Sequence, residues 1–194
     1  MTKIFLCLLF LSFSTFSQEE IPNSGPYYKN EISASLGTYA LTSPDVSLSG
    51  IGSFNLGYHF FLTKKWAPYA NFTNIYQNDG GFASIVTGFD FGLSYCLFNC
   101  VHHYSKTGDM VLLSEHSKWG FRLGVGFSQR NFQLQTTTVS YSGFALQPIL
   151  NYFINDRTKA LFIFKYASVK NPGNTISELT TLFGLAYDFE SISF

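Results

Sequence analysis

The chain has 194 residues, a formal net charge of zero, only 12% charged residues and 19% aromatics, with 22 Phe and 12 Tyr. That is enough chain for one domain. Charged residues make up about a quarter of an ordinary soluble domain, the absence of basic excess argues against a nucleic-acid partner, and no apolar run reaches the roughly 18 residues of a transmembrane helix.

In chain order, the first element is a targeting segment. Lys3 supplies a positive start, 4–13 are apolar, and Thr15-Phe16-Ser17 places small residues at −3 and −1 of a cleavage point before Gln18. This is the pattern of a secretory signal peptide over 1–17, too short to span a membrane. Cys7 lacks the small preceding residues of a lipoprotein signal and goes with the segment. Without Lys3, 11 basic residues face 12 acidic ones. Residues 18–27 read as a periplasmic lead, and 28–194 as the folded unit.

From there the sequence alternates with period two, the mark of half-buried strands. Eight runs are expected, at about 30–42, 52–62, 66–77, 82–98, 118–130, 140–154, 158–169 and 177–189. In the fifth, KWGFRLGVGFSQR, one register is Trp119, Phe121, Leu123, Val125 and Phe127; the other is Lys118, Gly120, Arg122, Gly124, Gly126, Ser128 and Arg130. Turn residues separate the runs: 63–65, Asn78-Asp79-Gly80-Gly81, 155–157 and Asn171-Pro172-Gly173-Asn174. There is no helix signature, linker or blade-like repeat.

Size decides which register faces inward. The apolar registers carry about twenty aromatic rings, whereas the interior of an eight-stranded barrel is only just wide enough for side chains to fill. The other registers, rich in Gly, Ser, Thr and Ala, fit such a lumen. The reading is therefore all-β: an eight-stranded antiparallel up-and-down transmembrane β-barrel, apolar outside and polar inside. Each run reaches the roughly 9–11 residues needed to cross at a tilt, and closure satisfies the backbone in hydrocarbon. An even strand number puts both termini on one side.

The lumen register then carries Glu31, His59, Asp90, Lys118, Arg122, Arg130, Lys159, Lys165, Glu178 and Asp188. Mixed signs in a narrow space can pair into a plug, and unpaired charges there are costly. The alternative is a polar path for ions or small solutes. Residues 96–103, CLFNCVHH, with His116 beyond, leave three readings open: a disulfide between Cys96 and Cys100, two free thiols, or a metal site. Residues four apart on a strand lie roughly 13 Å apart and a disulfide tolerates less than about 7 Å. A bridge therefore requires a turn at 97–99. The spacing lacks the paired pattern of a strong metal site, and no metal or cofactor is expected. The long 99–117 connection suits strands four and five running on as a protruding hairpin, turning at 105–109.

The C-terminal GLAYDF of 184–189, with Phe194 last, resembles the C-terminal signal of bacterial outer-membrane barrels. The resemblance assigns Gly184, Tyr187, Phe189 and Phe194 to recognition by the barrel-insertion machinery. With the leader and eight runs, the chain resembles small outer-membrane barrels of the OmpA/OmpX type, and its Gln18-Glu19-Glu20 start and Phe/Tyr richness resemble the barrel domains of Bacteroidota. The resemblance implies outer-membrane lipid as surroundings, periplasmic termini, and an aromatic girdle of Trp66, Tyr95, Trp119, Tyr152 and Tyr187 at the periplasmic strand ends. With that topology, 43–51, 78–81, 135–139 and 170–175 would face outward. Enzymatic barrels of this kind carry Ser/His sets near one rim; none converges here, nor does any nucleophile elbow or phosphate loop. The expected role is a non-enzymatic structural, adhesive or accessory barrel with an unidentified protein partner. The alternatives are a narrow pore or a lipid-modifying hydrolase.

Overall fold

The computed structural model describes residues 29–44, 47–78, 82–101, 104–107, 110–113, 118–134 and 137–189. Its elements are β1 (Asn30–Thr42), β2 (Ser47–Phe60), β3 (Trp66–Asn78), β4 (Phe82–Phe98), β5 (Tyr104–Thr107), β6 (Met110–Leu113), β7 (Trp119–Leu134), β8 (Thr137–Phe153), β9 (Thr158–Lys170) and β10 (Thr175–Phe189). Eight of them close an antiparallel barrel in the order β1-β10-β9-β8-β7-β4-β3-β2. The ring closes where Asn30 faces Phe189 and Thr42 faces Ser177. Closure leaves no strand edge, the condition a sheet must meet in hydrocarbon. The start of β1 and the end of β10 share one end of the barrel, here the terminal end; the opposite end is the far end.

Short polar side chains set the turns. Thr63 Oγ1 accepts the N–H groups of Lys65 and Trp66 at 3.2 and 3.0 Å. Asn155 Oδ1 accepts those of Arg157 and Thr158, and Asn171 Oδ1 those of Gly173 and Asn174. Each side chain mimics a backbone turn and fixes the register of the next strand.

Several elements differ from expectation. β2 begins at Ser47 rather than 52, because Ser47–Gly50 pair with β1 beyond a bulge at Gly52. Gly52 has φ 137°, a conformation that suits glycine. β7 and β8 extend further toward the far end than periodicity suggested. The 99–117 connection is not a continuation of the barrel strands: β5 and β6 form their own two-stranded sheet, with Thr107 facing Met110. Asn99, at φ 44°, turns the chain away before that sheet begins.

The outer surface has a defined apolar belt. On β7 the outward series runs Trp119, Phe121, Leu123, Val125, Phe127 and then switches to Gln129, Asn131 and Gln133; on β8 it runs Tyr152, Leu150, Pro148, Leu146, Phe144 and then Ser142, Ser140 and Thr138. Eight residue steps cover about 26 Å along a strand, or about 20 Å of height at a tilt near 40°. Beyond that switch the interior switches too. Tyr39, Leu41, Ile75, Val86, Phe132, Tyr141 and Val169 form a buried apolar cluster inside the far end, with Leu48, Ile85, Val139 and Ile176 packed against it. The barrel is thus polar inside and apolar outside over the belt, and apolar inside and polar outside above it. Ile85, at the same parity as the outward Phe89 and Phe91, joins this cluster because a bulge between Ile75 and Tyr76 of the β3–β4 ladder shifts its phase.

Candidate functional site: a charge-filled lumen between two apolar clusters

Nine of the ten expected lumen charges are buried inside the barrel. They form two groups, each with two cations and two carboxylates. Nearer the terminal end, Arg122 donates to both oxygens of Glu31, at 3.0 Å from Nη1 to Oε2 and at shorter range from Nη2 to Oε1. Lys159 Nζ donates to Glu31 Oε2 at 2.7 Å and lies 2.8 Å from Asp188 Oδ2. His59 Nδ1 sits 3.5 Å from Glu31, its ring stacked on Tyr69 at 5.5 Å. Nearer the far end, Arg130 bridges two carboxylates. Its Nε donates to Glu178 Oε2 at 2.7 Å and its Nη1 to Asp90 Oδ1 at 2.8 Å. Lys165 Nζ completes the group, donating to Thr73 Oγ1 at 2.5 Å and Asp90 Oδ2 at 3.2 Å, with Glu178 3.7 Å away. Such pairing is what permits charges to sit out of water.

Lys118 is the exception. It was expected in the lumen by parity with Arg122, but it is exposed. It precedes β7 in a bend, so the alternation that sends Gly120 and Arg122 inward does not reach it.

The two charge groups are separated by a band that periodicity did not single out. Asn71 donates to Gln147 at 2.7 Å. Ile149, Leu161, Ile163, Leu182 and Ala186 pack beside them. Tyr69 lies against Gly92 and Gly124; Gly92 faces Gly126 across β4–β7, and a Cβ on either of that pair would come within 2.1 Å of a backbone carbonyl. The glycines of KWGFRLGVGF therefore make room for this ring and for the close approach of two strands. The signal was present, since Tyr69 and Asn71 share the inward parity of β3, but Tyr69 was not distinguishable from the outward aromatics by residue type.

Each mouth holds a buried apolar cluster among the described residues. At the far end it is the apolar cluster around Tyr39 and Phe132. At the terminal end, Cys96 and Cys100 are joined by a disulfide with Cα atoms 5.8 Å apart. The chain bulges at Leu97, turns at Asn99, and tucks Cys100 and Val101 into the mouth. Phe61, Ala67, Cys96, Cys100 and Val101 form one buried cluster there. The tuck is tied to the charges beneath it, because the Cys100 carbonyl accepts from Lys159 Nζ at 2.9 Å. That ammonium also lies over the rings of Phe61 and Phe153 at 5.6 and 5.2 Å. Among the described residues no group of His, Cys, Asp and Glu could hold a metal ion; His102, His103 and His116 lie outside them.

The five girdle aromatics all sit at the terminal end of the outer face. Trp66 packs on Tyr95 at 4.7 Å and Trp119 on Tyr152 at 4.9 Å. Arg157 donates to Tyr187 Oη at 3.4 Å. Tyr58, not anticipated, stands at the same level and donates to Asn30 Oδ1 at 2.5 Å. Of the C-terminal signal residues, Tyr187 faces outward, Gly184 lies against Ser35 of β1, and Phe189 closes the ladder with Asn30. Phe194 lies outside the described residues, as do 1–17 and the lead at 18–27.

Together these features define the fold of the small eight-stranded outer-membrane β-barrels. Neisserial surface protein A is similar to this chain with a TM-score of 0.59 at 10% identity, covering 84% of this chain and 99% of that one. Ail, the attachment invasion locus protein of Yersinia pestis, covers 84% and 100% at 14% identity and a TM-score of 0.47. OprG of Pseudomonas aeruginosa covers 86% and 99% at 10% identity and a TM-score of 0.43. The first carries the fold assignment. No family model matches the sequence, and no curated protein matches it.

Proposed function

We propose that this chain is a closed, non-enzymatic barrel of the bacterial outer membrane, with a structural, adhesive or accessory role. Its terminal end faces the periplasm, 1–17 are removed as a leader, and the end of β10 serves the insertion machinery. One observation carries the closed lumen. Four cations and four carboxylates neutralise one another in two groups, between an apolar layer at one mouth and the tucked Cys100-Val101 at the other. The membrane location is supported by the apolar belt, whose height is near the ~25 Å of such barrels. The periplasmic placement of the termini is supported by the strands that overrun the belt at the opposite end.

A non-enzymatic role is supported by the burial of His59, the one described histidine, whose acid neighbour Glu31 is equally inaccessible. A substrate would have to cross the seals to reach it.

A narrow pore is the second reading, and one feature favours it. Tyr69 Oη, Asn55 Oδ1 and Gln147 Nε2 are buried without a protein hydrogen-bond partner, in a band polar enough to hold water. Planar-bilayer recording separates the two. The closed barrel gives no unitary steps under conditions where a conducting barrel of equal size does. Steps that change on substituting Arg130 or Asp90 would establish the pore.

A further inference from the structure

The cations outside the lumen are unevenly placed. Among the described rim residues, Lys29, Lys64, Lys65, Lys118 and Arg157 lie at the terminal end with the single carboxylate of Asp156, and Lys170 lies at the far end. Four of the five are fixed in the same way. The carbonyls of Lys29, Lys65, Lys118 and Arg157 accept hydrogen bonds from Phe61, Cys96, Phe153 and Asp188, each on the adjacent strand, at 2.7, 2.7, 2.8 and 2.7 Å. Those bonds fall at the β1–β2, β3–β4, β7–β8 and β9–β10 gaps, every second gap around the ring.

An aromatic group stands beside each. Lys65 adjoins the Trp66–Tyr95 pair, Lys118 the Trp119–Tyr152 pair, and Arg157 donates to Tyr187; Lys29 adjoins Asn30, which holds the Tyr58 hydroxyl. Each unit thus has a cation carried on a paired backbone, an amphipathic ring and the apolar belt behind it. The chemistry that matches all three in that order is a phosphate diester bearing net negative charge, with acyl chains attached.

We propose that the terminal rim is a ring of four sites for anionic phospholipid headgroups, centred on Lys29, Lys65, Lys118 and Arg157. This rests on the reading of the chain as a membrane-embedded barrel. The hydrocarbon of the bound lipid lies along the outward face of the belt, and its phosphate lies at the level of the rim cations. Zwitterionic lipid gives the same apolar contact but no net charge, so the preference is electrostatic and weakens with salt.

The only two tryptophans of the chain, Trp66 and Trp119, both sit at this rim, so their fluorescence reads it directly. The full chain is refolded into phosphatidylcholine vesicles containing a small fraction of lipid brominated on its acyl chains, either phosphatidylglycerol or phosphatidylcholine. The brominated anionic lipid is expected to be enriched about fivefold at the rim, the ratio that one lysine near an anionic surface supplies. Raising the salt concentration should bring the two lipids toward equality. The combined substitution Lys29→Gln, Lys65→Gln, Lys118→Gln and Arg157→Gln should do so at low salt. Its anchoring bonds run through backbone carbonyls, so the barrel is expected to survive, and the heat-dependent gel shift checks that it does. Equal quenching of the unsubstituted protein by both lipids at low salt overturns the proposal and leaves the membrane reading intact. Quenching by neither overturns both.

Discussion

Arg130 is the residue on which the far-side charge group turns. It is fully buried and shares its guanidinium between Asp90 and Glu178, while Lys165 reaches both carboxylates from the other side. Removing one partner of a buried ion pair leaves an uncompensated charge and costs about 3–5 kcal/mol. Arg130→Met should therefore lower the denaturant midpoint of the micelle-folded barrel by a margin of that size. Removing a carboxylate as well, in Arg130→Met with Glu178→Met, leaves Lys165 facing Asp90 and restores balance. The double variant should be the more stable of the two, and the opposite order would contradict the pairing. These charges were legible in the sequence because their spacing shares one parity within each strand. Lys118 was misread because parity holds only inside a strand, and strand ends are set by turns. The partners were not legible, since a lumen contact such as Lys159 to Glu31 joins residues 128 apart in the chain.

At the scale of the element, β7 shows why a barrel strand needs its glycines. Gly92 and Gly124 lie against the Tyr69 ring, and Gly92 approaches Gly126 so closely that a Cβ would meet backbone. Gly92→Val and Gly126→Val should each prevent recovery of the heat-modifiable band after refolding. Gly173→Ala, where the nearest atom to an added Cβ is 3.8 Å away, should refold like the unsubstituted protein. A band of normal yield from Gly126→Val would mean that the two strands do not approach as described.

The tuck after β4 offers a second test at this scale. The disulfide closes a loop of only four or five residues, worth about 2 kcal/mol by chain entropy. The mature protein should take up two alkyl groups by mass spectrometry only after reduction, and uptake without reductant would remove the staple. The sequence left bridge, thiols and metal open here. A strand reading placed the two sulfurs too far apart, and only the turn at Asn99 brings them together.

For the whole molecule, the two faces exchange character at one level. Below the Gln129–Ser142 level the barrel is built for hydrocarbon outside and ions inside. Above it, Phe132, Tyr141 and Val169 fill the interior and Ser, Thr, Asn and Gln cover the outside, which is the arrangement of a soluble barrel. The sequence reading assigned one face to each register along the full strand. It recovered the architecture because the belt holds most of the aromatics. It missed the exchange because the fifth run ended at 130, short of Phe132, and the inward residues of the sixth run, Tyr141 among them, were not weighed.

Nitroxide scanning along the outward face of β7 is the sharpest test of whether that face meets hydrocarbon. Single cysteines at 121, 123, 125, 127, 129, 131 and 133, in a background of Cys96→Ser and Cys100→Ser, are spin-labelled in lipid vesicles and probed with oxygen and with a water-soluble nickel chelate. Oxygen-dominated relaxation is expected from 121 to 127 and nickel-dominated relaxation from 129 onward. Nickel access equal at all seven positions would show that this face meets water throughout, and the inside-out barrel would be wrong.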